Sequence, residues 1–489
     1  MESQESLIRS TANEDDTRTD TVESVVNQPA KTRLLIMEPA VLLLFFAWSV
    51  TGTVFQNQVI YQTCTEIFHF NKTECILLGT PNATNETEAI ESVVQPYAAK
   101  FFMAKTIVES LFPALASLFI GPWSDKFGRK PVIMTTFIGY FIIYASVTVI
   151  SYLSTLVPVN PWFYLLPYIP ISICGGNCAL ITGIFSYVTD ITTPSDRPAR
   201  MSYLEAGIYV GLLFGFMSSS YILQLTSPTI VFGISGLATL IGVLYVIFFV
   251  EESIQQDESV GKLAKLKAIF DVSLVTDMVR TCFKSRENLD RSIIWMTLSS
   301  LVLSIFALEG SSTVFYLFVR EKFNWSIQQS TFFDAANILL MIIGNVLGMY
   351  LLNKVLRVSE TNLAIMSYLS CFADYFIKAL ASQPWHLYMA TSIAIFRGMS
   401  GPMCRAILSN TVPANEIGKI YSLTTSMESI SPLGSATLYS FVYSHTLNTF
   451  PGAFNLISSG VYMICAVLMV AVFICLKRHP PVGYVTVAQ

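Results

Sequence analysis

Six ionisable side chains sit inside stretches that are otherwise apolar: Glu109, Glu205, Glu309, Arg397, Arg405 and Glu428. A carboxylate can take up and release a proton. An arginine fork can grip a carboxylate or phosphate with two hydrogen bonds. In hydrocarbon each of these groups is costly unless it faces a cavity or a partner, so each is a functional candidate. Glu205, Glu309, Glu109 and Glu428 are candidates for proton coupling, and Arg397 and Arg405 for anion binding. Arg397 stands beside Gly398, Gly401 and Pro402, which can open a helix and free backbone groups for a ligand. Plainer readings stay open. Glu205 could be a packing carboxyl paired to Arg197 or Arg200, and Arg397 could bridge to Glu428 or Glu109. Trp48, with Phe45, Phe46 and Phe55, offers rings for stacking a planar cargo, although lipid contact or packing is the commoner use of such rings.

The elements that carry these residues must cross a membrane. Of 489 residues, 53% are hydrophobic and only 13% charged, whereas a soluble globular chain is about 25% charged. This excludes a soluble enzyme and a disordered chain, and a net charge of −4 gives no footprint for nucleic acid. Twelve stretches are long enough to span a bilayer: 35–57, 98–120, 131–153, 165–189, 201–223, 229–250, 292–318, 330–352, 361–382, 385–408, 418–441 and 454–476. No His/Cys grouping has metal-ligand spacing, so neither metal nor cofactor is expected.

Lys and Arg collect in one set of connecting loops, from Lys31 and Arg33 through Lys126, Arg129 and Lys130 to Lys477 and Arg478. The positive-inside rule puts those loops and both termini in the cytosol. The glycosylation sequons at Asn71, Asn82 and Asn85 fall in the 58–97 loop on the opposite side, in agreement. Cys64 and Cys75 lie in the same polar loop, where a disulfide is expected. The long 252–291 loop carries lysines and apolar residues at helical spacing over 259–270, which predicts an amphipathic helix on the cytosolic surface.

Between the second and third spans stands Gly121-Pro-Trp-Ser-Asp125-Lys126-Phe-Gly128-Arg129-Lys130. Glycine permits close approach of helices, Asp125 can cap or pair across helix ends, and the basic residues anchor at headgroups. A worn copy, Gly348 to Asn353-Lys354 and Arg357, follows the eighth span. Thr193-Pro194…Asp196…Arg200 after the fourth span is answered by Val412-Pro413…Glu416…Lys419 after the tenth. The offsets, 227 and 219 residues, describe a parallel repeat of six spans. The motif resembles the loop signature of the major facilitator superfamily. The resemblance implies an all-α membrane protein of twelve transmembrane helices in two six-helix halves.

A narrower resemblance runs through most of the membrane region. Glu38-Pro39-Ala40, Tyr187-Val-Thr-Asp190 and Arg200-Met-Ser-Tyr-Leu-Glu205-Ala-Gly are similar to solute carrier family 46, which includes the proton-coupled folate transporter. The tails point to a divergent, invertebrate member. The resemblance implies a proton-coupled carrier of an organic anion such as a folate, a muramyl peptide or a cyclic dinucleotide. It implies that Glu205 couples protons, about 7–8 Å inside its span at ~1.5 Å per residue from Arg200. It also marks Gly121, Asp125, Gly128, Arg129, Lys130, Asp190 and Arg200 as the conformational motif. Two departures bear on cargo: Glu309 stands where the folate branch has a histidine, and Asn177 or its neighbour Gly176 where it has an acid. Gly207, Gly211 and Gly215 read as a close-packing stripe.

The organisation expected is a disordered cytosolic tail (1–30), a six-helix half (31–251), a cytosolic linker (252–291), a second six-helix half (292–477) and a cytosolic tail (478–489). Tyr484-Val-Thr-Val487 looks like an adaptor-binding sorting signal, which leaves the lysosomal and plasma membranes as candidate locations. The competing functions are a sodium-coupled carrier, an anion exchanger and a receptor-like protein with the same fold. An enzyme is not expected, because no convergent His, Asp and Ser set is present.

Overall fold

In hydrocarbon every backbone N–H and C=O must find a partner within its own segment, so apolar runs of this length fold as helices. The computed structural model describes residues 36–78, 85–254, 272–284, 290–323, 325, 327–413, 416–446 and 449–478. Helices account for the ordered elements, with no strand among the described residues. The first six long elements are α1 (Glu38–Gln62), α3 (Asn85–Phe127), α4 (Lys130–Leu156), the pair α5 (Tyr168–Ile173) and α6 (Gly176–Asp190), α7 (Arg197–Leu225) and α8 (Pro228–Phe249). A short α2 (Lys72–Leu77) lies in the first loop. The second set is α10 (Asp290–Phe323), α11 (Ile327–Gly348), α12 (Glu360–Leu380), the pair α13 (Pro384–Ile393) and α14 (Ser400–Thr411), α15 (Ile417–Thr446) and α16 (Ala453–Arg478).

Among the described residues, ten helical segments are long and apolar enough to cross a membrane. The two other expected stretches are helical but differ in kind. Stretch 385–408 is divided, with a tighter 3-10 turn at Ile395–Met399 between α13 and α14. Stretch 418–441 lies within the unbroken 30 residues of α15, which hold many serines and threonines and Pro432. The first set has a matching break. Gly175 and Gly176 have φ of +88° and +45°, left-handed values that glycine adopts without a Cβ clash. Gly175 and Ala394, where the two breaks begin, stand 219 apart in sequence. Interrupted helices at corresponding positions mark the ligand region in many transporters.

The 259–270 stretch lies outside the described residues, and the linker helix that is described, α9, runs Val272–Phe283. α9 buries Met278 and reaches α15 through the Lys419–Asp277 ion pair, and just beyond the two helix ends Lys284 lies 3.8 Å from Glu416. The tail 1–30, Asn82 and Tyr484–Val487 also lie outside the described residues. Asn71 caps α2 by accepting from the Thr73 N–H, and Asn85 opens α3. Cys64 and Cys75 form a disulfide.

One apolar core runs through both sets, joining Ile133, Ile184 and Leu204 to Met403, Ile407 and Leu408. These residues lie toward the ends predicted to face the cytosol. Two further cores each stay within one set, around Phe55, Phe101 and Phe232, and around Phe318, Phe333 and Phe454. The stripe Gly207, Gly211 and Gly215 packs on α1, where a Cβ at Gly211 would lie 2.5 Å from the Leu42 carbonyl.

Candidate functional site

The hydrogen bonds that join the two sets gather on the predicted cytosolic side. α15 presents Ser422, Thr425, Ser426 and Ser429 at helical spacing. Ser426 donates to the Ala114 carbonyl at 2.9 Å and Ser429 to the Ser110 carbonyl at 3.1 Å, both on α3. Thr425 meets Thr182 of α6 at 2.9 Å, and Cys178 donates to the Thr425 carbonyl. Lower down, Arg197 bonds the Ser409 carbonyl and Asn410 of α14.

The loop motif closes this face. Asp125 accepts from the backbone N–H groups of Gly418 and Lys419, both at 2.9 Å, at the start of α15. A carboxylate there satisfies orphan donors at the positive end of the helix dipole. Arg129 is fully buried and lies 2.6 Å from Asp125 and 3.0 Å from Asp190. Gly128 turns the chain at φ +121°, and Gly121 abuts Ser422 with no room for a Cβ. Lys130 donates to the Ile247 carbonyl at the membrane edge. Arg200 pairs with Glu38 at 3.7 Å. In the worn second copy a left-handed φ recurs nearby, at Arg357 (+53°).

Above that seal, Arg405 of α14 bridges two carboxylates. Its Nη1 donates to Glu205 of α7 at 3.1 Å, and its Nη2 to Glu428 of α15 at 3.2 Å. The guanidinium lies 4.5 Å over the Phe185 ring. The alternative partners for Glu205 are thereby corrected: Arg197 and Arg200 are engaged elsewhere, and Arg405 reaches up from a deeper turn.

A second cluster belongs to the C-terminal set. Asp374 takes Lys378 at 2.8 Å and Arg397 at 3.5 Å, and Arg397 also donates to Asn337. Arg397 therefore bridges to Asp374, not to Glu428 or Glu109. It projects from the 3-10 turn, where Ser367 and Ser400 cap its freed carbonyl.

The remaining candidates stand apart. Glu109 pairs with Lys105 at 2.5 Å, and Lys105 lies 4.5 Å over the Tyr168 ring. Glu309 is exposed on α10, Asn177 is exposed in the first turn of α6, and Trp48 is 54% exposed on α1; none of the three joins either charge cluster. The six candidates read from sequence do not include Lys105, Asp374 or Lys378, of which the last two are buried. The i, i+4 spacing of opposite charges in apolar helices is the signal that marks both pairs.

Residues 39–436 match the family model described as Major Facilitator Superfamily. The chain is 35% identical over 449 residues to the "Probable peptidoglycan muropeptide transporter SLC46" of Drosophila melanogaster, covering 91% of this chain and 86% of that one. It is 23% identical to the "Lysosomal proton-coupled steroid conjugate and bile acid symporter SLC46A3" of Gallus gallus, covering 88% and 92%. Among solved structures it resembles the human organic anion transporter MFSD10 (TM-score 0.63, 13% identity, 91% and 100% covered). It also resembles the E. coli fucose:proton symporter FucP (TM-score 0.59, 14% identity, 89% and 98% covered). At those identities the structural likeness speaks for the fold.

Proposed function

Because the chain belongs to the major facilitator superfamily, and within it to solute carrier family 46, we propose that it is a symporter that carries an organic anion together with protons. The two helix sets are the halves of a twelve-span transporter, 31–251 and 292–477, joined by the 252–291 linker. They rock about the interrupted helices in alternating access. The hydrogen bonds gathered on one face support a cytosol-closed arrangement.

The observation that carries the reading is the Glu205–Arg405–Glu428 triad. It holds one carboxylate more than its arginine can neutralise, and buried charges without a counterpart are costly. Glu205 comes from one half, Arg405 and Glu428 from the other. A proton arriving on Glu205 cancels the surplus and removes its charge from the inter-half bond, while Glu428 keeps Arg405 paired. The halves can then part on the cytosolic side, where the proton leaves. Arg397 takes the anionic group of the cargo, with the exposed Asn177 and Glu309 as further lining candidates. The 35% identical Drosophila relative favours a muropeptide-like anion over a folate.

The test is uptake of labelled muramyl dipeptide into expressing cells, at acidic against neutral external pH, with and without a proton ionophore. Acid-stimulated, ionophore-sensitive uptake is expected. Uptake that follows sodium and ignores the proton gradient overturns the coupling. Imaging a tagged chain against a lysosomal marker decides between the lysosomal and plasma membranes.

A further inference from the structure

One buried carboxylate in the C-terminal set serves two cations unequally. Asp374 Oδ2 accepts from Lys378 Nζ at 2.8 Å, while Arg397 Nη1 reaches the same oxygen only at 3.5 Å. The first is a full hydrogen bond and the second sits at the outer limit of one. Asp374 Oδ1 has no hydrogen-bond partner among the described residues. Asp374 is fully buried and Lys378 is 4% exposed. The Lys378 ammonium is flanked by the Phe315, Phe333 and Tyr375 rings at 5.3–5.7 Å, which hold it in place through cation–π contact. Arg397 is anchored instead by a neutral acceptor, Asn337. Asp334 lies within electrostatic reach of both cations but forms no ion pair with either among the described residues.

Arg397 is thus fixed in position while only partly neutralised, since Asp374 shares its charge with Lys378 and holds the lysine more closely. We infer that Lys378 is a positioning residue: by occupying Asp374 it keeps the Arg397 fork open for the anionic group of the cargo. Without the lysine, Asp374 would close on Arg397 as a two-pronged salt bridge, the geometry arginine and carboxylate prefer. Cargo would then have to displace an internal competitor. The inference rests on the reading of Arg397 as the anion-binding residue.

The experiment measures concentration-dependent uptake of labelled muramyl dipeptide, normalised to the amount of protein in the membrane. Lys378→Met is expected to raise KM by about tenfold, the scale of one charge-assisted contact, with little change in maximal rate. Adding Asp374→Asn to it removes the competitor and brings KM back to within about twofold of wild type. A merely structural role for Lys378 lowers the amount of protein in the membrane and leaves KM unchanged, because removing one partner of a buried ion pair costs stability rather than anion affinity. Unchanged KM in Lys378→Met, or a double variant no better than the single, overturns the inference. Should the single variant fail to reach the membrane, the double variant decides: near-wild-type KM supports the inference and a tenfold rise overturns it. Arg397→Ala is run in parallel. If it transports with normal KM, the anion-binding reading itself fails; if it loses uptake while Lys378→Met is unaffected, only the role of Lys378 fails.

Discussion

Arg405 donates to Glu205 at 3.1 Å across the boundary between the two helix sets. The same guanidinium is held from its own side by Glu428 at 3.2 Å. The inter-set bond is therefore the one whose loss changes the relation of the halves, and it is made by the carboxylate whose charge a proton can cancel.

Replacing Glu205 by Gln imitates the protonated acid without allowing it to change. The Glu205→Gln transporter is expected to reach the membrane in normal amount and to exchange cargo across it. Its uptake should no longer rise as the external side is acidified. Uptake at acidic and neutral pH, with counterflow as the exchange readout, checks this; full acid stimulation in the variant removes Glu205 from the coupling step.

The seal beneath the triad rests on Asp125, whose carboxylate holds two backbone N–H groups of α15. Hydrogen bonds to a charged group contribute about 1.5–3 kcal/mol each, so Asp125→Ala should shift the population toward the cytosol-open form. Cys178 is a natural reporter, because it is buried against Thr425 at the inter-set boundary. Maleimide labelling of Cys178 from the cytosolic side should be faster in Asp125→Ala than in wild type. Equal rates would show that the motif does not hold this face shut.

The family, the helical membrane fold and the motif were legible because each depends on local sequence: apolar length, loop charge and a ten-residue pattern. The charge clusters were legible only as a list of residues. Which arginine meets which acid depends on helix rotation and on contacts up to 200 residues apart, as for Glu205 with Arg405. A one-dimensional reading carries neither. The break at Gly175–Gly176 was missed because glycine is common in membrane helices; its positive φ shows only in the folded chain. The break near Gly398 was anticipated because an arginine, two glycines and a proline coincide there.

The glycine stripe of α7 makes a prediction about folding rather than transport. A Cβ at Gly211 would crowd both the Leu42 carbonyl and the Phe46 N–H of α1. Overpacking of this kind costs about 1–3 kcal/mol, and more where backbone is the obstacle. Gly211→Val should lower both the amount of protein in the membrane and its melting temperature in detergent. Gly207→Ala, whose added carbon meets α1 at an ordinary 3.5 Å, should be tolerated. Equal effects from the two would remove close packing as the reason for the stripe.

Arg405→Lys separates charge from geometry. Lysine keeps the positive charge but presents it as one point, whereas the guanidinium reaches Glu205 from Nη1 and Glu428 from Nη2 at once. The lysine can satisfy one acid well and leaves the other underpaired in a buried site, a penalty of about 1–3 kcal/mol. Maximal uptake should fall by roughly tenfold or more, since ~1.4 kcal/mol is a factor of ten. Removing one acid as well should relieve the conflict, so Arg405→Lys with Glu428→Gln is expected to recover part of the rate. Arg405→Lys with Glu205→Gln should not recover acid stimulation, because the acid proposed to carry the proton is gone. Uptake by the two double variants at acidic pH decides the matter: recovery in both, or in neither, would mean that the two carboxylates do not divide the work as the triad implies.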